Sequence, residues 1–154
     1  MKALRILVDA DACPVKEEIY KVALRHGVPV TIVTNGGVRV PDHPLIGREI
    51  VSDAFDAADD FIASRAGTSA IVITADILLA DRCLKGGAAV IAPTGKPFTT
   101  SSIGAAIAMR AIMADIRGSG DPTAGGGQKS FSKEDRSRFL QALDAAIMAG
   151  RVRS

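Results

Sequence analysis

Tryptophan is absent from this 154-residue chain, aromatic residues make up only 4% of it, and cysteine and histidine occur twice each. With so few rings the core has to be aliphatic and rich in alanine. A base-stacking platform for single-stranded nucleic acid has little to be built from. Cys13 and Cys83 suit a reducing compartment better than a disulfide framework. No His/Cys cluster offers a zinc site. Long apolar runs are missing too. The first, Ile6 to Val8, soon gives way to charge, so no secretory signal is expected, and nothing approaches the roughly 18 apolar residues that span a bilayer. The expectation is a cytoplasmic protein with no membrane partner.

What is present is ordinary for one globular domain. The hydrophobic share is 47%, which argues against disorder, and 154 residues can bury roughly two-thirds of the unfolded surface. The net charge of +2 is unevenly placed. Residues 1–116 carry 12 Lys/Arg against 13 Asp/Glu, and residues 117–154 carry 7 against 4. The basic bias sits in the tail and is too small to establish a nucleic-acid partner.

Periodicity lays out an α/β order. Leu4, Ile6, Leu7 and Val8 are apolar almost without alternation, as in a strand buried on both faces of a parallel sheet. Pro14 is read as opening a helix whose apolar face is Val15, Ile19, Val22, Ala23 and His26, with Gly27 as its left-handed cap. Val28–Thr34 is a second strand, Asn35-Gly36-Gly37 a turn, and residues 38–47 an irregular loop. Arg48–Ser52 reads as a third strand and Phe55–Ala66 as a helix. Ala70–Thr74 is another fully buried strand, followed by a short helix over Ile77–Leu84 and a strand over Ala88–Ala92. Ser101–Ile116 is a long helix whose small residues Gly104, Ala105, Ala108 and Ala111 suit close packing on the sheet. A last helix starts at Ser132, with Asp135 in a capping-box relation to it, carries the stripe Phe139, Leu140, Leu143 and Ile147, and closes at Gly150. The division is a core over 1–117, a flexible glycine-rich loop over 118–131, and a C-terminal helix over 132–150 packed on the same domain.

Chemistry concentrates in the carboxylates. Asp9 and Asp11 follow the first strand, Asp56, Asp59 and Asp60 lie on the middle helix, and Asp76 follows Ala70–Thr74, with Asp81 five residues later. If the first strand and Ala70–Thr74 are neighbours at the switch point of a parallel sheet, Asp9, Asp11 and Asp76 converge. At about 100° per residue, Asp59 sits at the border of the arc formed by Phe55, Ala58, Phe61, Ile62 and Ala66, whereas Asp56 and Asp60 turn toward water. A carboxylate at the edge of an apolar arc is costly unless paired or bound to a metal. Asp9, Asp11, Asp59 and Asp76 are therefore the candidate metal and catalytic residues, while Asp56, Asp60 and Asp81 read as helix caps or solvated surface charges. Hard cations such as Mg²⁺ or Mn²⁺ want such oxygen ligands. Thr34 and Asn35 end the second strand and could line the site. Lys129, Lys133, Arg136 and Arg138 flank the glycine-rich stretch as a phosphate-contacting arm or a solvated helix start. Cys13, His26 and His43 read as structural.

Four stretches carry a resemblance: Val8-Asp9-Ala10-Asp11-Ala12-Cys13-Pro14, Asp56-Ala57-Ala58-Asp59-Asp60, Thr74-Ala75-Asp76-Ile77, and Phe131-Ser132-Lys133-Glu134-Asp135-Arg136-Ser137-Arg138-Phe139-Leu140. Together they resemble the bacterial YaiI/YqxD family, across essentially the whole chain. The acidic pattern is similar to that of PIN-like and NYN-type nucleases, which hold Mg²⁺ or Mn²⁺ with strand-end aspartates and cut RNA; their middle helix often carries Glu, where this chain has only Asp. The resemblance implies a three-layer α/β/α sandwich with a mainly parallel sheet, PIN-like. It also implies a Mg²⁺- or Mn²⁺-dependent nuclease acting on RNA or another nucleic acid, with Asp9, Asp11, Asp59 and Asp76 as the metal site and Asp60 and Asp81 as outer candidates; a monomer or a homodimer is expected. Two alternatives stay open. Asp9-x-Asp11, Thr34-Asn35 and Asp76 with Asp81 also resemble haloacid-dehalogenase-type phosphatases, with Asp9 as nucleophile. Against that, a helix at Pro14 leaves no room for the usual flap, and only Lys85 and Lys96 offer themselves as its lysine. The third reading is a non-catalytic PIN-like module that binds nucleic acid or protein.

Overall fold

β1 (Arg5–Asp9) owes its place to a run of residues with no polar side. Ile6 and Val8 point into one apolar cluster and Leu7 into another, and all three are at most 1% exposed. A strand with two dry faces needs a layer of helices on each side. The computed structural model, which describes residues 3–11, 13–54, 56–118 and 131–153, supplies both layers.

On one face lie α1 (Lys16–His26) and α5 (Lys133–Arg153), with Ile19 and Val22 of the first and Phe139, Leu143 and Ile147 of the second closing over Ile6 and Val8. On the other lie α2 (Ala57–Arg65), α3 (Ile77–Lys85) and α4 (Ile103–Gly118), where Ile62, Leu79, Cys83 and Ile103 cover Leu7. Between them runs a six-stranded sheet in the order β3-β2-β1-β4-β5-β6. β2 is Val30–Thr34, β3 Ile46–Ile50, β4 Ala70–Ile73, β5 Ala89–Ile91 and β6 Pro97–Phe98. All neighbours are parallel except β5 and β6. The α/β/α sandwich expected from the sequence is present. Among the described residues, no helix is long and apolar enough to cross a membrane.

Several boundaries differ from the sequence reading. Pro14 belongs to a turn before α1, because Val15, fully buried, takes non-helical dihedrals of −114° and 24° and delays the helix to Lys16. Gly27 does adopt the left-handed cap, with φ of 70°. The third strand begins two residues early, at Ile46, its one buried residue; its exposed edge carries no apolar periodicity to read. The Pro97–Phe98 strand was not anticipated, and a proline is at home on an edge of this kind. The small residues of α4 do not face the sheet. Gly104, Ala105, Ala108 and Ala111 are exposed, while Ile103 and Ile107, which remove more apolar area from water, turn inward.

α5 starts as expected, with Ser132 N–H donating to Asp135 Oδ2 at 3.1 Å and Asp135 N–H donating to Ser132 Oγ at 3.0 Å. It does not stop at Gly150. That residue is buried inside the helix where Leu4 crosses it, so close that a Cβ would lie 2.9 Å from Leu4 Cδ1. α5 is also tied to the end of α1: His26 Nε2 lies 2.6 Å from Asp144 Oδ1, which Arg25 meets at 3.0 Å. The expected Phe55 start of α2, Lys129, and the glycine-rich stretch between Gly118 and Phe131 lie outside the described residues.

The tightest approach to α5 is at Gly95, between β5 and β6, with φ of +90°. A Cβ there would sit 2.6 Å from the carbonyl carbon of Arg138 and 2.7 Å from the nitrogen of Phe139. Backbone cannot swing aside as a side-chain tip can. Gly95→Ala is expected to cost about 2–4 kcal/mol in urea unfolding. Gly37→Ala, with open space around it, should stay within about 0.5 kcal/mol of the parent.

Candidate functional site

β1 sends its chain toward β2 on one side, and β4 lies against its other side. The carboxyl ends of β1 and β4 therefore open a crevice at the point where the winding reverses, the usual ligand position in such sheets. The cleft found there holds about 630 Å³.

Parallel pairing sets its floor. Val8 lies opposite Ile73, which places Asp9, the last residue of β1, beside Thr74. The Thr74 hydroxyl, 1% exposed, donates to Asp9 Oδ2 at 2.8 Å and accepts from Asp76 N–H at 3.0 Å. Asp76 in turn caps α3: its Oδ1 accepts from Leu78 N–H at 2.9 Å and Leu79 N–H at 3.3 Å, satisfying two orphan donors of the first turn. One hydroxyl thus couples the end of β1 to the start of α3.

Asp11, exposed in the turn after β1, and Asp59, half-buried on α2, also line the cleft. The structure brings together all four aspartates, from three separate segments. Asp59 sits at the border of its helix's buried side while Asp56 and Asp60 are exposed, as the helical period predicts. Crowding shows in the titration. Burial pushes the Asp9 carboxyl up to about 6; the Thr74 bond opposes this, and the charges of Asp59, Asp11 and Asp76 add to it. Burial also raises Asp59, with Asp76 and Asp56 reinforcing the effect and Arg82 working against it.

The outer candidates separate from this group. Asp60 faces solvent and pairs with Arg82 at 3.0 Å, and Asp81 does not line the cleft, since it pairs with Lys85 at 3.0 Å one helical turn on. Asn35 lines the cleft, but Thr34 does not. Thr34 is buried, with its Oγ1 accepting from Gly36 N–H at 3.1 Å to hold the turn. Lys133, Arg136 and Arg138 do not line it either. Arg136 Nη1 donates to Pro14 O at 3.0 Å and meets Glu18 at 3.2 Å, and Arg138 binds Asp135 at 2.6 Å. Their charge braces the start of α5 rather than forming an arm over the cleft.

Four contributors were missed by sequence reasoning: Asp53, an exposed aspartate in the cleft lining, and Thr74, Arg82 and Arg110. Thr74 was visible only as part of a motif; its partner depends on strand register. Arg82 and Arg110, from α3 and α4, line the cleft and bring positive charge to an otherwise acidic site. Arg82 lies six residues after Asp76 on one short helix, a usable signal. Arg110 had none, because it depends on how α4 crosses α3. Cys13 and Cys83 are buried free thiols, both raised by burial, Cys83 to about 11, so neither is a thiolate nucleophile. His26 bonds Asp144, and His43 Nδ1 accepts from Leu45 N–H, so both histidines serve structure.

Among the described residues, no three His, Cys, Asp or Glu side chains stand close enough to grip a metal ion together. The donor set nonetheless suits a cation that takes few protein ligands. Mg²⁺ usually keeps several waters and binds one or two carboxylates. Asp9 Oδ1 and both Asp11 and Asp59 carboxylates carry no hydrogen bond among the described residues.

The model of the uncharacterised YaiI/YqxD family matches residues 7–149. The chain belongs to that family. A protein of Sphingopyxis alaskensis named UPF0178 protein is 67% identical over 149 residues, covering 96% of each chain. One from Nitrobacter winogradskyi with the same name is 62% identical over 147 residues, covering 96% of this chain and 92% of its own. A third, from Rhodopseudomonas palustris, is 59% identical over 143 residues, 93% of this chain and 89% of its own. No solved structure matches the chain.

The raised Asp9 carboxyl has a consequence for stability in this family member. In the unfolded chain it loses its proton near pH 4, and in the folded protein near pH 6. Between those values the folded state binds the extra proton, so stability falls as pH rises through the window and stays lower above it. Asp135 and Asp144, held below the ordinary value by hydrogen bonds from Ser132 and His26, act in the opposite sense and at lower pH. Asp9→Asn is expected to add about 2–3 kcal/mol at neutral pH and to flatten the decline between about pH 4 and pH 6. Urea unfolding across pH measures both, and a variant no more stable than the parent at neutral pH contradicts the assignment.

Proposed function

We propose that this protein is a Mg²⁺- or Mn²⁺-dependent phosphodiesterase that hydrolyses nucleic acid, with RNA as the substrate class. One observation carries the reading: Asp9, Asp11, Asp59 and Asp76 line a single cleft at the sheet's switch point, with Arg82 and Arg110 in its wall. These four carboxylates, with the exposed Asp53 and Asp56 that also line the cleft, repel one another, and of the two lining arginines Arg82 already serves Asp60. A divalent cation is the economical relief, and it is also what an anionic phosphodiester needs before it can approach such a site.

Asp9 and Asp59, the two carboxyls under the most strain from burial and neighbouring charge, would hold the ion, with Asp11 and Asp76 beside them. When bound, such an ion lowers the pKa of a water and neutralises charge developing on phosphoryl oxygens. The chain's own groups do the rest. Thr74 holds one oxygen of Asp9 and leaves the other toward the cleft. Asp76 is fixed by the helix it caps. The planar guanidinium groups of Arg82 and Arg110 suit bidentate contact with phosphate oxygens.

A phosphatase with Asp9 as nucleophile draws less support. No lysine among the described residues lines the cleft, Lys85 is paired with Asp81, and α1 begins soon after Asp11, leaving only a short turn. A non-catalytic binding module is the second reading. The observation in its favour is that no three of the acids stand within reach of one ion.

Cleavage of a single-stranded oligoribonucleotide with Mn²⁺ or Mg²⁺ tests the proposal. Asp9→Asn and Asp59→Asn are expected to lower the rate about a hundredfold or more, and Arg110→Ala to raise KM more than it lowers kcat. If calorimetry detects no binding of either ion at millimolar concentration, the metal reading fails and the binding module stands. An aspartyl-phosphate mimic trapped on Asp9 by beryllofluoride would move the assignment to the phosphatase.

A further inference from the structure

A second cleft, of about 510 Å³, lies at the opposite end of the sheet. Arg5 opens β1 there, Arg65 ends α2, and Thr68 and Ser69 lead into β4. At about 3.3 Å per residue, the step from Arg5 to Asp9 along β1 separates the two clefts by about 13 Å. The lining inverts that of the first: two arginines and the side chains of Ser64, Thr68 and Ser69, with no carboxylate among the described residues.

Neither arginine takes part in an ion pair among the described residues. Arg5 Nη2 donates to the Arg65 carbonyl at 2.6 Å, while its Nε is buried with no hydrogen-bond partner. Arg65 donates to Ser64 Oγ at 3.0 Å and lies 3.7 Å from the centre of the Phe61 ring. The end of α2 explains part of this. Its last carbonyls carry about half a negative charge, which a nearby guanidinium answers. Two full positive charges exceed that need, and the capping bond uses only one nitrogen of Arg5. That Nε has no surface open to the cleft, but Arg5 Nη1 and Arg65 Nη2 carry no hydrogen bond among the described residues, and an oxygen anion in the cleft would supply acceptors for both.

We propose that this second cleft is a binding site for a phosphate-type anion, held between the Arg5 and Arg65 guanidinium groups with Thr68 and Ser69 as hydroxyl donors, the Ser64 hydroxyl being committed to the Phe61 carbonyl at 2.8 Å. Guanidinium forks match tetrahedral oxyanions and are weakly hydrated, so they give up little on binding one. The site stands on its own lining and does not depend on metal chemistry at the aspartates. Two sources present this chemistry, a small phosphate compound and the backbone of a polynucleotide.

Titration of the isotope-labelled whole chain with inorganic phosphate at constant ionic strength is expected to give saturable amide shifts over Ser64–Ser69 that chloride does not. Arg65→Gln, at an exposed position, is expected to weaken phosphate binding about tenfold. Arg5→Lys keeps the charge, removes the guanidinium fork, and is expected to weaken binding several-fold with the rest of the spectrum unchanged. A nucleoside monophosphate and a short oligoribonucleotide then separate the sources. Tighter binding of the oligonucleotide than of phosphate at these same residues assigns the site to a polymer backbone, and equal or weaker binding assigns it to a small phosphate compound. No saturable shift with any of the three probes, or unchanged phosphate binding by Arg65→Gln, overturns the proposal.

Discussion

β1 has no solvent face. Ile6 and Val8 are buried against α1 and α5, and Leu7 against the helices of the other layer, so the strand can only sit at the centre of the sheet. With β2 on one side and β4 on the other, the ends of β1 become the places where the chain turns away in opposite directions. Both clefts follow from that constraint. One opens where β1 ends in Asp9, the other where it begins in Arg5.

The charges are sorted along the same axis. At the carboxyl ends of the strands, burial and then the charges of neighbouring aspartates push the Asp9 carboxyl upward, and the amino ends gather arginines with no acid partner among the described residues. The acidic cluster is held by backbone economy as much as by side chains. Thr74 serves Asp9 and the turn at once, and Asp76 serves the cleft and the first turn of α3. A residue with two such duties cannot move without loosening both.

Much of the fold could be read in advance because its signals are local. Unbroken apolar runs mark β1 and β4, the 3.6-residue period marks the inward side of α1 and α5, and Ser132 with Asp135 forms the expected cap. The half-buried position of Asp59 also follows from helical period alone. The misreadings occur where local pattern is silent or ambiguous. β3 and β6 are edges with few buried residues, and α4 is apolar on so many sides that its sequence does not say which one turns inward. Gly150 looks like a helix stop because glycine often is one; here it makes room for Leu4.

By itself the sequence determined the α/β class, the central buried strands, and the acids that come to lie together, because burial of aliphatic runs and the placement of carboxylates after them are written residue by residue. Tertiary structure alone decided that Thr74 holds Asp9, that Arg110 enters the cleft, that Arg136 is spent on Pro14 and Glu18, and that Arg5 and Arg65 share a second cleft. Each of these depends on strand register or helix crossing. Such pairings join residues tens of positions apart, and no spacing within a single segment encodes them.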